Sequence, residues 1–457
     1  MSWLPGGKNQ SLEELMKLGN NVEVAVEPLF FMYPLMITIG GFLAIGLIYL
    51  RIWKRGIPLS NMVTLTYIAL PAAVIGASFF GKLGGFNYGW QIWNYFMFWR
   101  SGMSIFGGMV FGSFAGYIYL RQVSYKLQIS IWVYLDCIVP AILIAQALGR
   151  WGNLFNHEIL GNELSVEELW KIEWLPNWIK FRLYPMYVPD ENGISEIVKG
   201  YTFHEPLFLY ESIANLILFL VIMFLVPFLF KLFSPKPWKK NPHAFPIKGV
   251  AISKEELLSI PVQRELDLKT DGSRYWYTKA NAWKRAYYLY EADNKLAEQY
   301  IIANDDHEKI QEVASMEYEN IKGKFRAKIK LTSDKQKIKE LKKQRSIALR
   351  PYRWDRFKVV NSLTKDSKLL YNLNNPDGYK VMHSGVQASL YLMGYSIIRM
   401  SLEHQRTGFD LTFKFSMAAN YIFLVTVFLV SIFALVLVQF IAPYKWRQPE
   451  WLYEKSY

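Results

Sequence analysis

One short stretch of the chain concentrates side chains that can do chemistry. Residues 149–161 read GRWGNLFNHEILG and directly follow an apolar run that ends at Leu148. Ionisable groups are costly at membrane depth, and they usually face a cavity or a partner. We therefore expect a binding or catalytic site where this run ends. The polar residues in the stretch are Arg150, Asn153, Asn156, His157 and Glu158.

A second group of polar residues recurs along an otherwise apolar segment near the C-terminus. Tyr395, Arg399, Glu403 and Arg406 follow one another at helical spacing, so they share one face of a helix. On a membrane helix such a face must look into protein or water. The alternative interpretation is a structural ion pair between Arg399 and Glu403. We expect a functional face, because ionisable residues inside a membrane are functional by default.

The two arginines together suggest a ligand. Two guanidinium groups can fork onto one phosphate, and an unpaired pair would repel in a low-dielectric site, so an anion is expected between Arg150 and Arg399. The anion that reaches this depth in a membrane is a phospholipid head group. Asn153 and Asn156 can add neutral hydrogen bonds. The residues thus predict an anionic-phospholipid site that opens to the outer leaflet, and they leave the attacking group undefined.

Further candidates lie in two other segments. His204, in the segment HEPLFLYES, suits a general base or acid. A histidine that only hydrogen-bonds a loop is an equally good interpretation, and both stay open. Gly107 and Gly108 could present bare backbone to a head group, whereas Gly112 and Gly116 are better explained by close helix packing.

The elements that position these residues are membrane helices. The chain of 457 residues has a formal charge of +14, but its apolar and charged residues are segregated. This division excludes one soluble core and predicts an all-α polytopic membrane protein with about seven transmembrane helices. The predicted spans are residues 30–50, 61–80, 103–120, 129–148, 204–230, 386–404 and 415–441.

Three further parts complete the predicted architecture. Residues 1–232 hold five spans, an aromatic interfacial arm at 81–102 and a small extracytoplasmic head at 151–205. Residues 233–383 form a basic, mostly helical cytoplasmic insert, and residues 384–457 hold the last two spans and a tail. Basic loops favour the cytoplasm, which places the N-terminus outside and the C-terminus inside.

The sequence gives no sign of a metal, another cofactor or nucleic acid as a partner. Cys137 is the only cysteine, so no intrachain disulfide can form. No Cys/His metal spacing and no glycine-rich phosphate loop is apparent. The basic run 335–345 could touch anionic lipid or nucleic acid, but a solvated helix face explains it more simply.

The motif of residues 149–161 resembles the signature of bacterial prolipoprotein diacylglyceryl transferases. Other segments are similar to further motifs of that family over the membrane part of the chain, whereas the insert has no counterpart in it. These segments are Tyr33–Met36, Gly102–Gly108, His204–Glu211, and Gly394–Arg399 with Glu403 and Arg406.

The resemblance implies a reaction and roles. A diacylglyceryl group would pass from phosphatidylglycerol to the lipobox cysteine of a prolipoprotein, within the bacterial cell membrane. Arg150 and Arg399 would hold the phosphate, and Glu403 would orient Arg399. The residues implied to position the lipid or relay a proton are Asn153, Asn156, Glu158, Tyr395, Tyr33, Arg406, Gly107 and Gly108.

One departure from the family pattern concerns the base. Many members carry a histidine before the paired glycines, where this chain has Phe106. Phenylalanine cannot take a proton. His204 and Glu158 are then the candidate bases, or the arginines activate the thiol through their field.

Two other functions are compatible with the same residues. A transporter or flippase of an anionic lipid or solute would also need arginines inside the membrane, but it should show paired broken helices in an internal repeat, which the sequence lacks. A non-catalytic lipid-binding scaffold would make the insert its functional part.

Overall fold

The structure is a computed structural model, and it describes most of the chain. The described residues are 23–24, 32–82, 92–97, 105–157, 159–180, 182–183, 188–190, 193–195, 198–199, 203–259, 268–286, 294–352, 367–375, 377–405, 417–448 and 451–454.

Helices lie at the positions of all seven predicted spans. The fourth and fifth are each interrupted, by a 3₁₀ turn at Val139–Ala141 and by a π-helical turn at Val221–Leu225. The seventh continues through a π-helical turn, Leu437–Ile441, into Ala442–Lys445. The helices are α1 (Met32–Lys54), α2 (Ser60–Lys82), α3 (Ile105–Leu127), α4 (Ile131–Ile138 and Ile142–Phe155), α5 (Leu207–Leu220 and Val226–Leu232), α6 (Val386–Glu403) and α7 (from Met417–Val436).

Helix length and surface composition identify a membrane protein. Among the described residues, α1, α2, α4, α5 and α7 are each long and apolar enough to cross a bilayer. They also expose large apolar side chains, such as Phe42 at 70% and Phe433 at 66%. An aqueous protein rarely exposes so much apolar surface, whereas lipid covers it. The predicted all-α polytopic membrane class is confirmed.

The backbones of α2 and α3 pack in direct contact. A Cβ atom on Gly107 would lie 2.3 Å from the carbonyl oxygen of Gly76, and one on Gly76 would lie 2.4 Å from Cβ of Phe111. Gly112 packs against Ala73 in the same way. Small residues permit this approach in lipid, where van der Waals packing holds helices together.

We predict that Gly76→Ala destabilises the protein, because its methyl group would press on backbone that cannot move away. The expected loss is about 1–3 kcal/mol, as for other overpacked sites. Thermal unfolding in detergent measures it. The matched control is Gly41→Ala on α1, where the added methyl group meets nothing within 4 Å. Equal melting temperatures for the two variants would contradict the close packing.

A small head connects α4 to α5. Its apolar core includes Leu164, Ile172 and Phe203 and is continuous with Leu154 of α4 and Phe208 of α5. The head therefore fixes the ends of the two helices against each other. It contains short helices and small antiparallel strand pairs. These are Val166–Glu168, Trp170–Glu173 and Asn177–Lys180, β1 (Glu23–Val24) with β4 (Val198–Lys199), and β2 (Val188–Asp190) with β3 (Gly193–Ser195).

Lys171 links the head to the start of α5 through two ion pairs. Lys171 Nζ lies 2.8 Å from Glu168 and 2.9 Å from Glu205. Its hydrogen bonds to Glu168 and Glu205 raise the pKa of Lys171, so the ammonium stays charged at neutral pH. Glu205 directly precedes Pro206, the N-cap residue of α5.

Only part of the predicted aromatic arm lies within the described residues. Ile92–Phe96 forms a 3₁₀ turn. Ser78 donates a hydrogen bond to the carbonyl of Tyr95 at 2.8 Å, and Phe79 packs against Phe96 with 5.8 Å between ring centroids. This turn is thus fixed to the end of α2.

The chain divides into two compact units. The first comprises residues 1–126, 131–229 and 385–435, and the second comprises residues 127–130, 230–384 and 436–457. The predicted insert, 233–383, falls in the second unit together with the tail.

The second unit contains helices and a three-stranded antiparallel sheet that the sequence did not predict. An apolar cluster around Phe245, Tyr277 and Tyr379 forms its core. The strand order is β5 (Ile252–Ser253), β7 (Arg274–Tyr277), β6 (Leu268–Thr270). The helices are Pro237–Lys240, Lys254–Ser259, Lys279–Ala286, Asn294–Lys330, Lys335–Leu349 and Lys368–Asn374.

A buried ion cluster ties the tail into the second unit. Arg447 pairs with both carboxylate oxygens of Glu454, at 2.8 Å for Oε2, and His383 Nδ1 lies 2.9 Å from Oε1. Burial favours the neutral acid, but Arg447 and His383 outweigh it and lower the pKa of Glu454 to about 2. The carboxylate therefore stays ionised across the physiological pH range.

Candidate active site

The second half of α4 presents Arg150 beside two other helices. Gly152 lets α1 approach closely, since a Cβ atom there would lie 2.8 Å from the ring of Tyr33. On the other side, Ser212 of α5 donates a hydrogen bond to the carbonyl of Ala147 at 2.9 Å. These contacts hold the α4 end between α1 and α5 and fix the direction of the Arg150 side chain.

The two arginines that the sequence singled out converge on one carboxylate. Arg150 Nη2 lies 2.7 Å from Glu211 Oε1, and Arg399 Nη1 lies 3.6 Å from the same oxygen. Arg399 Nη2 also lies 3.0 Å from Glu403 Oε2, one turn along α6. The expected anion between the arginines is therefore present, and it belongs to the chain itself.

Burial distinguishes the members of this cluster. The Glu211 side chain is fully buried and that of Arg399 is 8% exposed, whereas that of Arg150 is 18% exposed. A ligand can therefore reach the site from the side of Arg150. Two guanidinium groups and two carboxylates form the cluster, so it carries no net formal charge while both carboxylates are ionised.

Sequence reasoning missed Glu211 as a site residue. It lies within the segment HEPLFLYES, where only His204 was proposed for a role. A signal was available, because Glu211 is followed by an apolar run that reaches Leu220 without another charge. A carboxylate at the start of such a run needs a cation from another helix.

Tyr395 lies among these charged groups. Its hydroxyl lies close enough to Arg150 to interact electrostatically with the guanidinium group, so the tyrosine of α6 is next to the arginine of α4. Its ring stacks on that of Tyr391, one turn away, with 5.8 Å between centroids. Tyr391 in turn accepts a hydrogen bond from Gln146 of α4 at 3.0 Å.

His204 is bound to the loop of the signature stretch. Its Nδ1 lies 2.9 Å from the carbonyl oxygen of Gly161, and its backbone N–H donates to the carbonyl of Leu183 at 2.7 Å. Because a carbonyl oxygen can only accept, Nδ1 is the donor in this hydrogen bond. These contacts favour the loop-binding interpretation. Gly161 is needed here, because a Cβ atom would lie 2.9 Å from Cβ of Glu205.

The remaining polar candidates differ in what the structure shows of them. Asn153 is buried on α4. The Oδ1 atom of Asn156 is buried and has no hydrogen-bond partner in the described part of the chain, so it can accept from a ligand. Glu158 and Arg406 lie outside the described residues.

The two candidate glycines lie against α2. Gly107 packs on its backbone, as described above. A Cβ atom added to Gly108 would lie 3.2 Å from the carbonyl oxygen of Ala73. Gly108 also borders an apolar cavity between α1, α2 and α3. Close helix packing therefore explains the paired glycines better than contact with a lipid phosphate.

The composition of the site fits an anion. No cluster of three or more His, Cys, Asp or Glu side chains with metal-binding geometry occurs among the described residues. Arginines, amides and a tyrosine hydroxyl are instead suited to hold phosphate and ester oxygens.

Comparison with known proteins agrees with this chemistry. Residues 24–237 match the family described as prolipoprotein diacylglyceryl transferase. The matched segment is just under half of the chain. The resemblance drawn from the motifs is thereby confirmed.

Individual relatives support the same assignment. Proteins of Streptococcus pneumoniae strains Hungary19A-6 and G54 are named phosphatidylglycerol–prolipoprotein diacylglyceryl transferase. Each is 31% identical to this chain over 192 residues, which are 42% of this chain and 64% of the relative. The chain thus matches somewhat less than two thirds of the length of these relatives.

The transferase-family match ends at residue 237, before α6. Arg399, Tyr395 and Glu403 lie beyond it, yet their side chains join Arg150 and Glu211 in one cluster. Contact geometry therefore assigns α6 to the same site as the matched helices, independently of sequence similarity.

We predict that His204→Asn retains activity within a fewfold of the parent. The asparagine amide can occupy the place of Nδ1 and keep the hydrogen bond to Gly161, but it cannot take a proton. The measurement is the rate of lipid transfer to a lipobox peptide. His204→Leu is the paired variant and should perturb the loop. Loss of turnover in His204→Asn, in a protein as stable as the parent, would restore His204 as the base.

Proposed function

We propose that this protein transfers the diacylglyceryl group of phosphatidylglycerol to the lipobox cysteine of prolipoproteins. The observation that carries the proposal is the convergence of two arginines on the buried carboxylate of Glu211. Arg150 comes from the segment that matches the transferase family, and Arg399 comes from α6. Its partners are phosphatidylglycerol, the lipobox segment and the surrounding membrane lipid. The enzyme acts at the bacterial plasma membrane, with its N-terminus outside and its C-terminus in the cytoplasm.

Substrate binding is an exchange of anions. Glu211 occupies the position between the guanidinium groups in the structure. The phosphate of the lipid takes over hydrogen bonds from Arg150, which is the more exposed arginine. Glu403 keeps Arg399 oriented throughout, since it holds the other side of that guanidinium at 3.0 Å. Tyr395 keeps Arg150 in place in the same way.

The reaction is a displacement at carbon. The thiol sulfur forms a bond to the terminal glycerol carbon of the diacylglyceryl group as the bond from that carbon to the phosphate oxygen breaks. Glycerol phosphate leaves with the electron pair. The arginines stabilise the charge that develops on the departing phosphate, and they act more strongly in a site that excludes water.

The proton of the thiol needs an acceptor, and Glu211 is suited to take it. When phosphate displaces Glu211 from Arg150, its carboxylate loses its closest cation. The released carboxylate can then act as a general base toward the thiol. Proton uptake would also balance the negative charge brought by the lipid. Glu158 is the other carboxylate candidate.

We predict that Arg150→Ala and Arg399→Ala each lower turnover by about 100-fold or more, as for the loss of a group that stabilises developing charge. The assay incubates a lipobox peptide with phosphatidylglycerol vesicles and the purified protein, and it follows the mass gain of the peptide. Arg350→Ala, at an exposed arginine of the insert, is the control. Near-normal turnover in either site variant would contradict the proposal that both arginines bind the lipid phosphate.

Glu211→Gln should separate binding from chemistry. Glutamine keeps the shape but removes the internal anion, so the arginines bind lipid phosphate more tightly and KM falls. Turnover also falls, because the amide cannot accept the thiol proton. Steady-state kinetics over a range of lipid concentrations measure both constants. A rise in KM together with unchanged kcat would contradict both roles of Glu211.

The two alternative functions predict different results in this assay. A flippase would move phosphatidylglycerol between leaflets without changing the peptide, and a scaffold would bind lipid without turnover. The mass assay distinguishes all three, since only the transferase yields a peptide heavier by a diacylglyceryl group.

A further inference from the structure

A second polar layer lies one helical turn from the arginine cluster, toward the middle of the helices. Gln146 precedes Arg150 by four residues on α4, Asn215 follows Glu211 by four on α5, and Tyr391 precedes Tyr395 by four on α6. Residues four apart lie one above the other on a helix, about 5.4 Å apart along its axis. We call Gln146, Asn215 and Tyr391 the lower polar layer.

Contacts on each helix support this placement. Gln146 Nε2 donates to the hydroxyl of Tyr391 at 3.0 Å, which joins α4 to α6 at this level. Glu211 contacts arginines on both α4 and α6, so its face of α5 is wedged between those helices. Asn215 lies on the same face and is fully buried.

An apolar floor closes the layer from beneath. Leu143 and Ile222 are buried together with Tyr391, and Leu218 packs against them. Leu218 also fills the space beside Gly394, where a Cβ atom would lie 2.4 Å from its Cδ1. The lower polar layer is therefore bounded by apolar packing on the side away from the arginines.

Asn215 has spare hydrogen-bonding capacity. Neither its Nδ2 nor its Oδ1 has a partner within the described residues, and the Oε1 atom of Gln146 likewise has none. A buried amide without partners is destabilising, most of all where lipid and not water surrounds the protein. Polar groups left open in this way at a binding site are explained by a ligand that completes them.

The phospholipid proposed for the arginine cluster also fits the lower polar layer. In a phosphatidyl lipid only the glycerol carbons separate the phosphate from the fatty-acyl ester groups, and the esters lie toward the acyl chains. A phosphate held by Arg150 and Arg399 therefore places ester carbonyls about one helical turn deeper. Ester carbonyls accept hydrogen bonds, and Asn215 Nδ2 is a donor at that depth.

We infer that the lower polar layer binds the ester carbonyls of the diacylglyceryl group, with Asn215 as the principal donor. This inference rests on the proposed function and adds a specificity to it, for diacyl over dialkyl lipids. Held at both phosphate and ester, the lipid presents the glycerol carbon between them in one orientation. Asn215 thus positions the carbon that the thiol attacks.

The test compares two lipids that differ only at these carbonyls, the diester and the diether forms of phosphatidylglycerol, in vesicles that are otherwise identical. Both keep the phosphate for the arginines. Transfer to a lipobox peptide by the parent protein should be about tenfold faster from the diester, as expected for one lost hydrogen bond to a buried donor. Equal rates from the two lipids would overturn the inference without any variant.

Asn215→Leu replaces the amide with an apolar group of similar size. It should slow transfer from the diester by about five- to tenfold and leave the diether rate unchanged, so that the preference disappears. Ser431→Ala on α7, whose hydroxyl bonds the Phe428 carbonyl of its own helix, should keep the preference of the parent. An equal slowing with both lipids would show a merely structural role for Asn215 and overturn the inference.

A binding measurement separates this inference from the proposed function. The melting temperature of the detergent-solubilised parent protein is measured with each lipid. If no peptide is modified by either lipid but the diester stabilises the protein more, the transferase proposal fails and the ester site stands. If the two lipids stabilise the protein equally, the ester site fails whether or not transfer occurs.

Discussion

The ion cluster of Arg150, Arg399 and Glu211 is the constraint on which the membrane domain depends. Two guanidinium groups at membrane depth cannot be left without anions, because the loss of hydration is not offset and the groups repel. Glu211 serves both at once, and Glu403 completes the pairing of Arg399. Three helices, α4, α5 and α6, must therefore come together at this one level.

The same constraint makes the site ready for an anionic lipid. Removing one partner of a buried ion pair is strongly destabilising, whereas replacing one anion by another preserves the balance of charge. A phosphodiester that enters beside Arg150 makes such a replacement. The exposed fraction of Arg150, 18% against full burial of Glu211, indicates the direction from which it comes. Glu211 thus keeps both guanidinium groups paired and oriented until the phosphate of the substrate replaces it.

Features that depend on local pattern could be predicted from the sequence, and features that depend on contacts between distant segments could not. Apolar runs determine the spans, and electrostatics requires an anion between two buried arginines. The identity of that anion does not follow, since nothing in the HEPLFLYES segment says which helix Glu211 will face. Gly107 was expected to face a head group, but it packs against Gly76 of another helix. The three-stranded sheet of the insert has strands too short to show alternation. The lower polar layer becomes visible only once three helices are aligned at the same depth.

A long insert separates α5 from α6, so the connection itself does not fix the position of α6 relative to the other helices. That register must be fixed by other contacts, because Arg399 of α6 has to lie at the level of the site. Asp136 of α4 fixes that register. Its carboxylate accepts hydrogen bonds from the backbone N–H groups of Gly385 at 2.8 Å and Ala388 at 2.9 Å, at the very start of α6. Because the entropy of closing a loop grows only slowly with its length, about 0.6 kcal/mol for each doubling, a few such bonds outweigh a very long connection. α6 is therefore held at one end by Asp136 and at the other by Glu211, and the site depends on those contacts and not on the length of chain between the helices.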